Sequence, residues 1–460
     1  MNSTSEQLRF ASIPGHTVRA DFDGGGLSSD LGPLLLRGVD CQIGLTERIN
    51  AALVDTRHAS YITHSQHDLL TQRIYQIGCG YEDGNDSNCL RHDPMFKLGA
   101  GRLPFDENTA LASAATMSRF EHAASSKDIY RVSEALVEQF IAGFASAPGT
   151  LVLDLDHSED AAYGQQPLAF YNHHYGSTCY LPLMIFDGFS GALVAAVLRP
   201  GKRPTGAENA MIMRRVLTRI RRHFPDTHVL VRGDGHFSGP ELMQLIDDMP
   251  NMDFIFGFPG NVKLQALAEP TRQRACALWA SVQTQDVVPE SVRVFDEFPY
   301  AARSWPKPWR VLLKAEVMAQ GENPRFVVTS LVGLDAGTLY EDIYCARGQS
   351  ENFIKHLKND LSADRTSCTS FLANCMRLLL HAAAYVLHQQ LRTQALQHTV
   401  LSQAQPSTVI ARLFKIAVQV RQGKQRVTLH LPSACLVKHL LHTLTERLFV
   451  SLRANVFNSS

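Results

Sequence analysis

The sequence predicts an α/β fold: a mixed five-stranded sheet flanked by helices, preceded by a mostly helical N-terminal domain and interrupted by a strand-rich insertion. Three observations predict it. Apolar residues recur at helical spacing up to Phe144, and from Thr150 they gather instead into short runs bounded by turn formers. After Thr150 the elements read strand, strand, strand, helix, strand, helix, strand. Between about Pro259 and Leu339 lies a stretch too long for a connection and rich in strand formers.

The N-terminal domain, residues 1–148, begins with about 20 polar, loose residues. Helix-like spacing follows over Leu31 to Leu53, Tyr61 to Ile77 and Ser118 to Phe144, and Ala147-Pro-Gly149 reads as the domain boundary. Cys79, Cys89 and His92 lie in a turn-rich segment, but their C-x9-C-x2-H spacing matches no usual structural zinc pattern. The core, residues 149–400, opens with the strand Leu151 to Asp156, and Tyr180 to Phe186 and Ala192 to Leu198 complete three strands expected to be antiparallel. Thr205 caps a helix reaching about Arg222, with Glu208 as its capping-box partner. The strand His228 to Asp234, a helix from Pro240 and the strand Asp253 to Phe258 come next. The insertion, about 259–340, offers strands at Ser291 to Phe295, Trp309 to Val317 and Arg325 to Val332. A long apolar helix spans Ser370 to Arg392, and residues 401–460 form a basic C-terminal segment.

Composition narrows the function little. The 460 residues hold 44 Lys plus Arg against 44 Asp plus Glu, so any nucleic-acid footprint must be local. Nine cysteines without regular spacing, and a start that does not read as a secretory signal, lead to the expectation of free thiols in a reducing cytoplasm. The apolar run from Leu378 is interrupted by His381 and read as too short to span a membrane.

The chemistry concentrates in Tyr344, Arg347, Glu351 and Lys358. As an α-helix, at about 100° per residue, these four share one narrow arc, while Phe353, Ile354, Leu357 and Leu361 recur on another side. An acid flanked by cations on one stripe suits metal and phosphate binding. Two further acids stand at strand ends, Asp156 and Asp234. Asp154 competes with Asp156, because alternation points both to one face of the strand.

This constellation resembles the Y-x2-R-x3-E-x6-K signature of DDE-type bacterial insertion-sequence transposases, whose catalytic core is RNase H-like, as in retroviral integrases. The resemblance implies that Asp156, Asp234 and Glu351 are the catalytic, metal-binding triad, holding two Mg²⁺ ions with Mn²⁺ able to substitute. It implies DNA contacts by Tyr344, Arg347 and Lys358. Family members place the first acid before small hydroxyl residues; here His157-Ser158 follows Asp156, and Asp154 stays open as the alternative. Trp305 and Trp309, interleaved with Arg303, Lys307 and Arg310, are candidates for stacking a displaced base. Lys202, Arg203, Arg214, Arg215, Arg219, Arg221 and Arg222 form a cationic stretch with Glu208 as the only acid against it.

The implied activity is Mg-dependent hydrolysis of DNA at an element's terminal inverted repeats, then transfer of the freed 3′-hydroxyl into target DNA, by a homodimer in the bacterial cytoplasm. The N-terminal domain and the basic segment are the candidates for end recognition. The alternatives are a DNA-binding protein on an inactive scaffold and a metal-dependent nuclease without strand transfer.

Overall fold

The computed structural model describes residues 7–283 and 289–457. Residues 1–6 of the expected loose start, 284–288 of the insertion and 458–460 of the basic segment lie outside the described residues. The chain divides into two compact units, one made of residues up to 50, 55–121 and from 383 onward, the other of 51–54 and 122–382. This differs from the expected boundaries. Helix α1 (Ser126–Ala142) contributes Val137, Phe140 and Ile141 to the core of the second unit, and so belongs with the sheet.

That unit is built on one sheet. Its strands are β1 (Thr150–His157), β2 (Leu183–Asp187), β3 (Leu193–Val197), β4 (His228–Gly233) and β5 (Met252–Phe258). The insertion adds β6 (Ser291–Tyr300), β7 (Trp309–Met318) and β8 (Arg325–Thr329), with Gly321–Glu322 pairing beside β7. The order is β6-β7-β8-β5-β4-β1-β2-β3. Strands β1, β2 and β3 are antiparallel neighbours, and β4 and β5 run parallel to β1. The sheet is mixed, as expected, but it does not stop at five strands, and the insertion is no separate layer. Antiparallel pairing of β8 with β5 continues the same sheet to nine strands.

Helix α2 (Gly206–His223) is capped as expected, with Thr205 and Glu208 forming a capping box. Helix α3 (Pro240–Asp247) connects β4 to β5. The insertion opens, unexpectedly, with a 21-residue helix, α4 (Val262–Val282). Asn261 caps it, and only a narrow stripe of Leu264, Ala268, Thr271 and Ala275 is buried, which is why its periodicity is weak.

Alternation along the strands separates the two faces of the sheet. Leu151, Leu153 and Leu155 join Val229, Val231, Phe254 and Phe256 in a large apolar core with side chains of α1–α4. Val152, Leu230, Ile255, Leu312 and Val327 point the other way, against Leu339 and Tyr340 of a helical run over residues 336–360. That second face is the one to which Asp154, Asp156, Arg232 and Asp234 belong by the same alternation.

In the other unit, helices Gly32–Ile43, Gln66–Gly78 and Pro94–Gly99 bury Leu35, Leu36, Val39, Leu70, Ile74, Met95 and Phe96. The unit is less purely helical than expected. Leu8–Ile13 and His16–Ala20 form an exposed hairpin, and Leu27–Ser28 pairs with Val418–Gln422, which pairs with Val427–His430. The basic segment is therefore woven into a sheet with the N-terminal residues. Lys415 makes a 2.7 Å ion pair with the buried Asp30, whose other oxygen accepts from Tyr81 at 2.7 Å. Among the described residues one helix, Phe371–Ala395, whose residues fall in both units, is by length and composition apolar enough to cross a membrane, in contrast to the sequence reading; 83% of its apolar window is buried within the protein.

Candidate active site

The acid-bearing strands are adjacent and parallel. Arg232 on β4 pairs in register with Asp154 on β1, and Gly233 with Leu155. Carried one residue further, that register brings Asp234 level with Asp156 across neighbouring strands, which lie about 4.8 Å apart. The turn after β4 fixes Asp234: its carboxylate accepts from the His236 backbone N–H at 2.9 Å and faces the His236 ring nitrogen Nδ1 at 3.1 Å.

The third acid comes from the run over 336–360, which is not the uniform α-helix the spacing predicted. It changes pitch repeatedly, with a π-helix at Leu339–Tyr344, a 3₁₀ stretch at Cys345–Gly348, an α-helix at Gln349–Lys355 and a π-helix at His356–Asp360. Pitch irregularities of this kind gather at functional sites. Phe353 packs on Phe186 of β2 with ring centroids 5.5 Å apart, Tyr344 is half-buried, and Glu351 is exposed. Gly257 of β5 leaves room for Tyr344, since a Cβ there would lie 2.7 Å from its hydroxyl.

Electrostatics tie the three acids together. Burial pushes the Asp156 carboxyl up to about 6; the Arg347 charge opposes this, and the negative charges of Asp234 and Glu351 add to it. Arg347 Nη1 stands 3.5 Å from Asp156 Oδ2. Burial works against the Arg347 charge, but Asp156, Tyr344 and Asp234 raise its pKa above the usual value. Burial also acts to raise Asp234, yet the hydrogen bond and charge of His236 bring it below the usual carboxylate range. His157 is buried with neither ring nitrogen hydrogen-bonded and its ring stacked on Phe237; burial and the Arg199 charge push it down to about 3.

Lys358 is held at the far end of β1. Its ammonium donates to Ser158 Oγ at 3.1 Å and to the Glu159 carbonyl, and lies 3.7 Å from the buried Asp160. Beside Asp234 opens a cavity of about 380 Å³ lined by Arg203, His236, Gly257, Arg325 and Tyr344 among others.

Three sequence expectations meet a different placement. Asp154 is fully buried, and both its oxygens accept from Arg232, Nε to Oδ1 at 2.6 Å and Nη2 to Oδ2 at 2.8 Å. It faces a guanidinium rather than open space. Trp305 and Trp309 are 8% and 4% exposed and belong to the apolar core on the opposite face of the sheet, with ring centroids 5.2 Å apart. Their rings are not presented to a nucleic acid, because β7 is an interior strand and its odd-numbered residues face α4. The cationic stretch is partly neutralised: Arg219 pairs with Glu134 and Glu138 at 2.6 Å, and Arg221 donates to backbone carbonyls.

The residue missed from sequence is Arg232. A charged residue stands two positions before each strand-end acid, Asp154 before Asp156 and Arg232 before Asp234, and on parallel neighbours in register that repetition was a usable signal.

A divalent cation suits the donor set in chemistry, since carboxylate oxygens are hard ligands and Asp156 already feels the charges of the other two acids. Among the described residues, no three His, Cys, Asp or Glu side chains are grouped closely enough to hold one.

The family model described as transposase DDE domain, group 1, matches residues 10–452. No curated protein matches the chain. Among solved structures, the piggyBac transposase in a synaptic complex with hairpin DNA is similar at a TM-score of 0.41 and 12% identity, over 82% of this chain and 78% of that one.

Proposed function

The chain belongs to the transposase DDE domain group 1 family, and from that premise we propose that it is the transposase of a bacterial insertion sequence. In this reading the strands β3-β2-β1-β4-β5 form an RNase H-like core. The protein binds the element's terminal inverted repeats as a dimer, hydrolyses DNA at the ends, and joins the 3′-hydroxyl to target DNA.

The observation that carries the reading is the convergence of charge around Asp156: Asp234 level with it on the next parallel strand, Glu351 close enough to raise its pKa, and Arg347 at 3.5 Å. DDE transposases generally use divalent metals, and in this reading Asp156, Asp234 and Glu351 are the ligands that would hold Mg²⁺, although as they stand the three are not grouped closely enough to do so. When bound, such ions activate the attacking oxygen and stabilise the leaving one. The chain's own residues do the rest. Arg347 offers a planar fork to phosphate oxygens and, in doing so, leaves Asp156. Lys358 supplies a point charge to the backbone, held in place by Ser158 and Glu159. Tyr344, set against Gly257 at the cavity beside Asp234, packs against the DNA end.

The test is cleavage and strand transfer on a duplex carrying the flanking inverted repeat with Mg²⁺, comparing the native chain with Asp234→Asn and Glu351→Gln. The native chain is expected to cut and join, and both variants to bind the DNA and do neither. Active variants would remove the triad from the reading. Cutting without joining by the native chain would reduce it to a nuclease, and repeat-specific binding without any cutting would leave a DNA-binding protein.

A further inference from the structure

We propose that Arg232 and Asp154 are positioning residues, a buried clamp that sets where the catalytic acids stand relative to the helical run bearing Tyr344, Arg347 and Glu351. The inference rests on the transposase reading and concerns residues to which that reading gives no part.

The clamp joins three elements through one guanidinium. Arg232 and Asp154 are an in-register pair on β4 and β1, each two residues before an acid, so each shares its acid's face of the sheet. Nε and Nη2 of Arg232 form a fork on the two Asp154 oxygens, at 2.6 and 2.8 Å. Its remaining nitrogen, Nη1, donates to the backbone carbonyl of Ile343 at 2.8 Å. Ile343 immediately precedes Tyr344, near the junction where the run passes from π to 3₁₀ pitch. Every nitrogen of the guanidinium is thereby committed, to β1 on one side and to the run on the other. Arg232 is 5% exposed and Asp154 fully buried, so water does not compete for these bonds.

A fourth element makes room for the clamp. Gly188, in the turn between β2 and β3, donates its N–H to the Val152 carbonyl at 2.8 Å. A Cβ on Gly188 would lie 2.5 Å from Arg232 Nη2 and 2.8 Å from Asp154 Oδ2. The absence of a side chain is what lets the turn close over the ion pair.

Cohesion alone does not call for this arrangement. A buried ion pair is often matched or exceeded in stability by apolar residues of similar volume, because desolvating two charges offsets most of their attraction. Apolar residues, however, cannot grip a carbonyl or fix a direction. Positioning is the property that only the charged pair supplies. Arg232 and Asp154 touch neither the reacting phosphate nor a metal in this account; they act through Asp156, Asp234 and the run.

The experiment compares the full native chain with the apolar double variant Asp154→Leu/Arg232→Met and with Arg232→Lys. Thermal midpoint, Mn²⁺ affinity by calorimetry and cleavage rate at saturating repeat DNA are measured for each. The double variant is expected to fold with a midpoint near native, yet to bind Mn²⁺ about 10-fold more weakly and cleave about 100-fold more slowly, the range seen when groups that orient metal ligands are removed. The KM for DNA stays unchanged. Arg232→Lys keeps the charge but not the fork, and serves as the decisive variant if the double one does not fold; it is expected to show the same two losses. Native Mn²⁺ affinity and native cleavage in a folded variant would overturn the proposal and leave the pair as packing. A native chain that binds Mn²⁺ but cleaves nothing would defeat the transposase reading, and the clamp would then stand or fall on the ratio of Mn²⁺ affinities.

Discussion

The same face of the sheet carries two ion clusters beneath the helical run, and they are built differently. On β1 and β4, Asp154 and Arg232 are sealed, and the tie to the run is a backbone carbonyl. On β6 and β7, in the insertion, Glu316 collects Lys314 at 2.6 Å, Arg293 at 2.8 Å and Asn323 at 2.9 Å. Its tie to the run is the half-exposed pair Arg293–Glu341 at 3.0 Å. Solvent screens the second tie and flexible side chains hold it, so it constrains the run weakly. The first is short, shielded and directional. The polar tie to the run is thus sealed beside the acids and screened over the insertion, where apolar packing of Leu339 and Tyr340 on Leu312 and Val327 holds the run instead.

The largest expected effect breaks the firm tie. Arg232→Ala leaves Asp154 buried without a counter-ion and should cost about 3–5 kcal/mol in urea unfolding, the usual penalty for halving a buried pair. A loss below about 1 kcal/mol would mean the two clusters are equally dispensable.

An intermediate effect probes the screened side. Glu316→Gln removes charge from a site with several donors and should cost about 1–3 kcal/mol at pH 7, with cleavage per folded molecule unchanged. Burial acts to raise the Glu316 carboxyl, but the hydrogen bonds and charges of Lys314 and Arg293, with Asn323, hold it down at about 2, against an ordinary 4.5. As pH falls, the unfolded chain takes up this proton first. The contribution is therefore complete above about 4.5 and is lost between about 4.5 and 2. Unfolding of native and variant chains across that window should converge; a gap that persists at the acid end would assign the stabilisation to shape rather than charge.

The smallest effect concerns the sheet's other face. Trp305→Phe trims a packed ring and should cost about 1–2 kcal/mol with DNA affinity unaltered. A tenfold loss of affinity with little loss of stability would return Trp305 to the DNA interface.

How much of this was legible depends on whether a feature is local. Leu151 to Asp156 is a strand in any context that buries it, and the Thr205–Glu208 capping box announces α2 within four residues. The acids at 156 and 234 were singled out by resemblance and because strand ends are visible as changes of periodicity. Trp305 and Trp309 misled because aromatics among cations have the same composition whether they stack bases or line a core. Only the pairing of β7 between β6 and β8 decides that, and pairing is not local. The pitch of the run was hidden for the opposite reason. A π turn differs from an α turn by one residue, too little for the apolar spacing of Phe353, Ile354, Leu357 and Leu361 to register.

The continuity of the sheet has a consequence for anyone trimming this enzyme. A shortened version, with residues 259–334 replaced by a linker, would strip β8 from β5 and bare a row of amide and carbonyl groups along Phe254, Ile255, Phe256 and Phe258. A bared, strongly apolar edge of that kind recruits other chains. The insertion therefore doubles as a guard against self-association, and a miniature built without it would need a replacement edge strand before it needed a better active site.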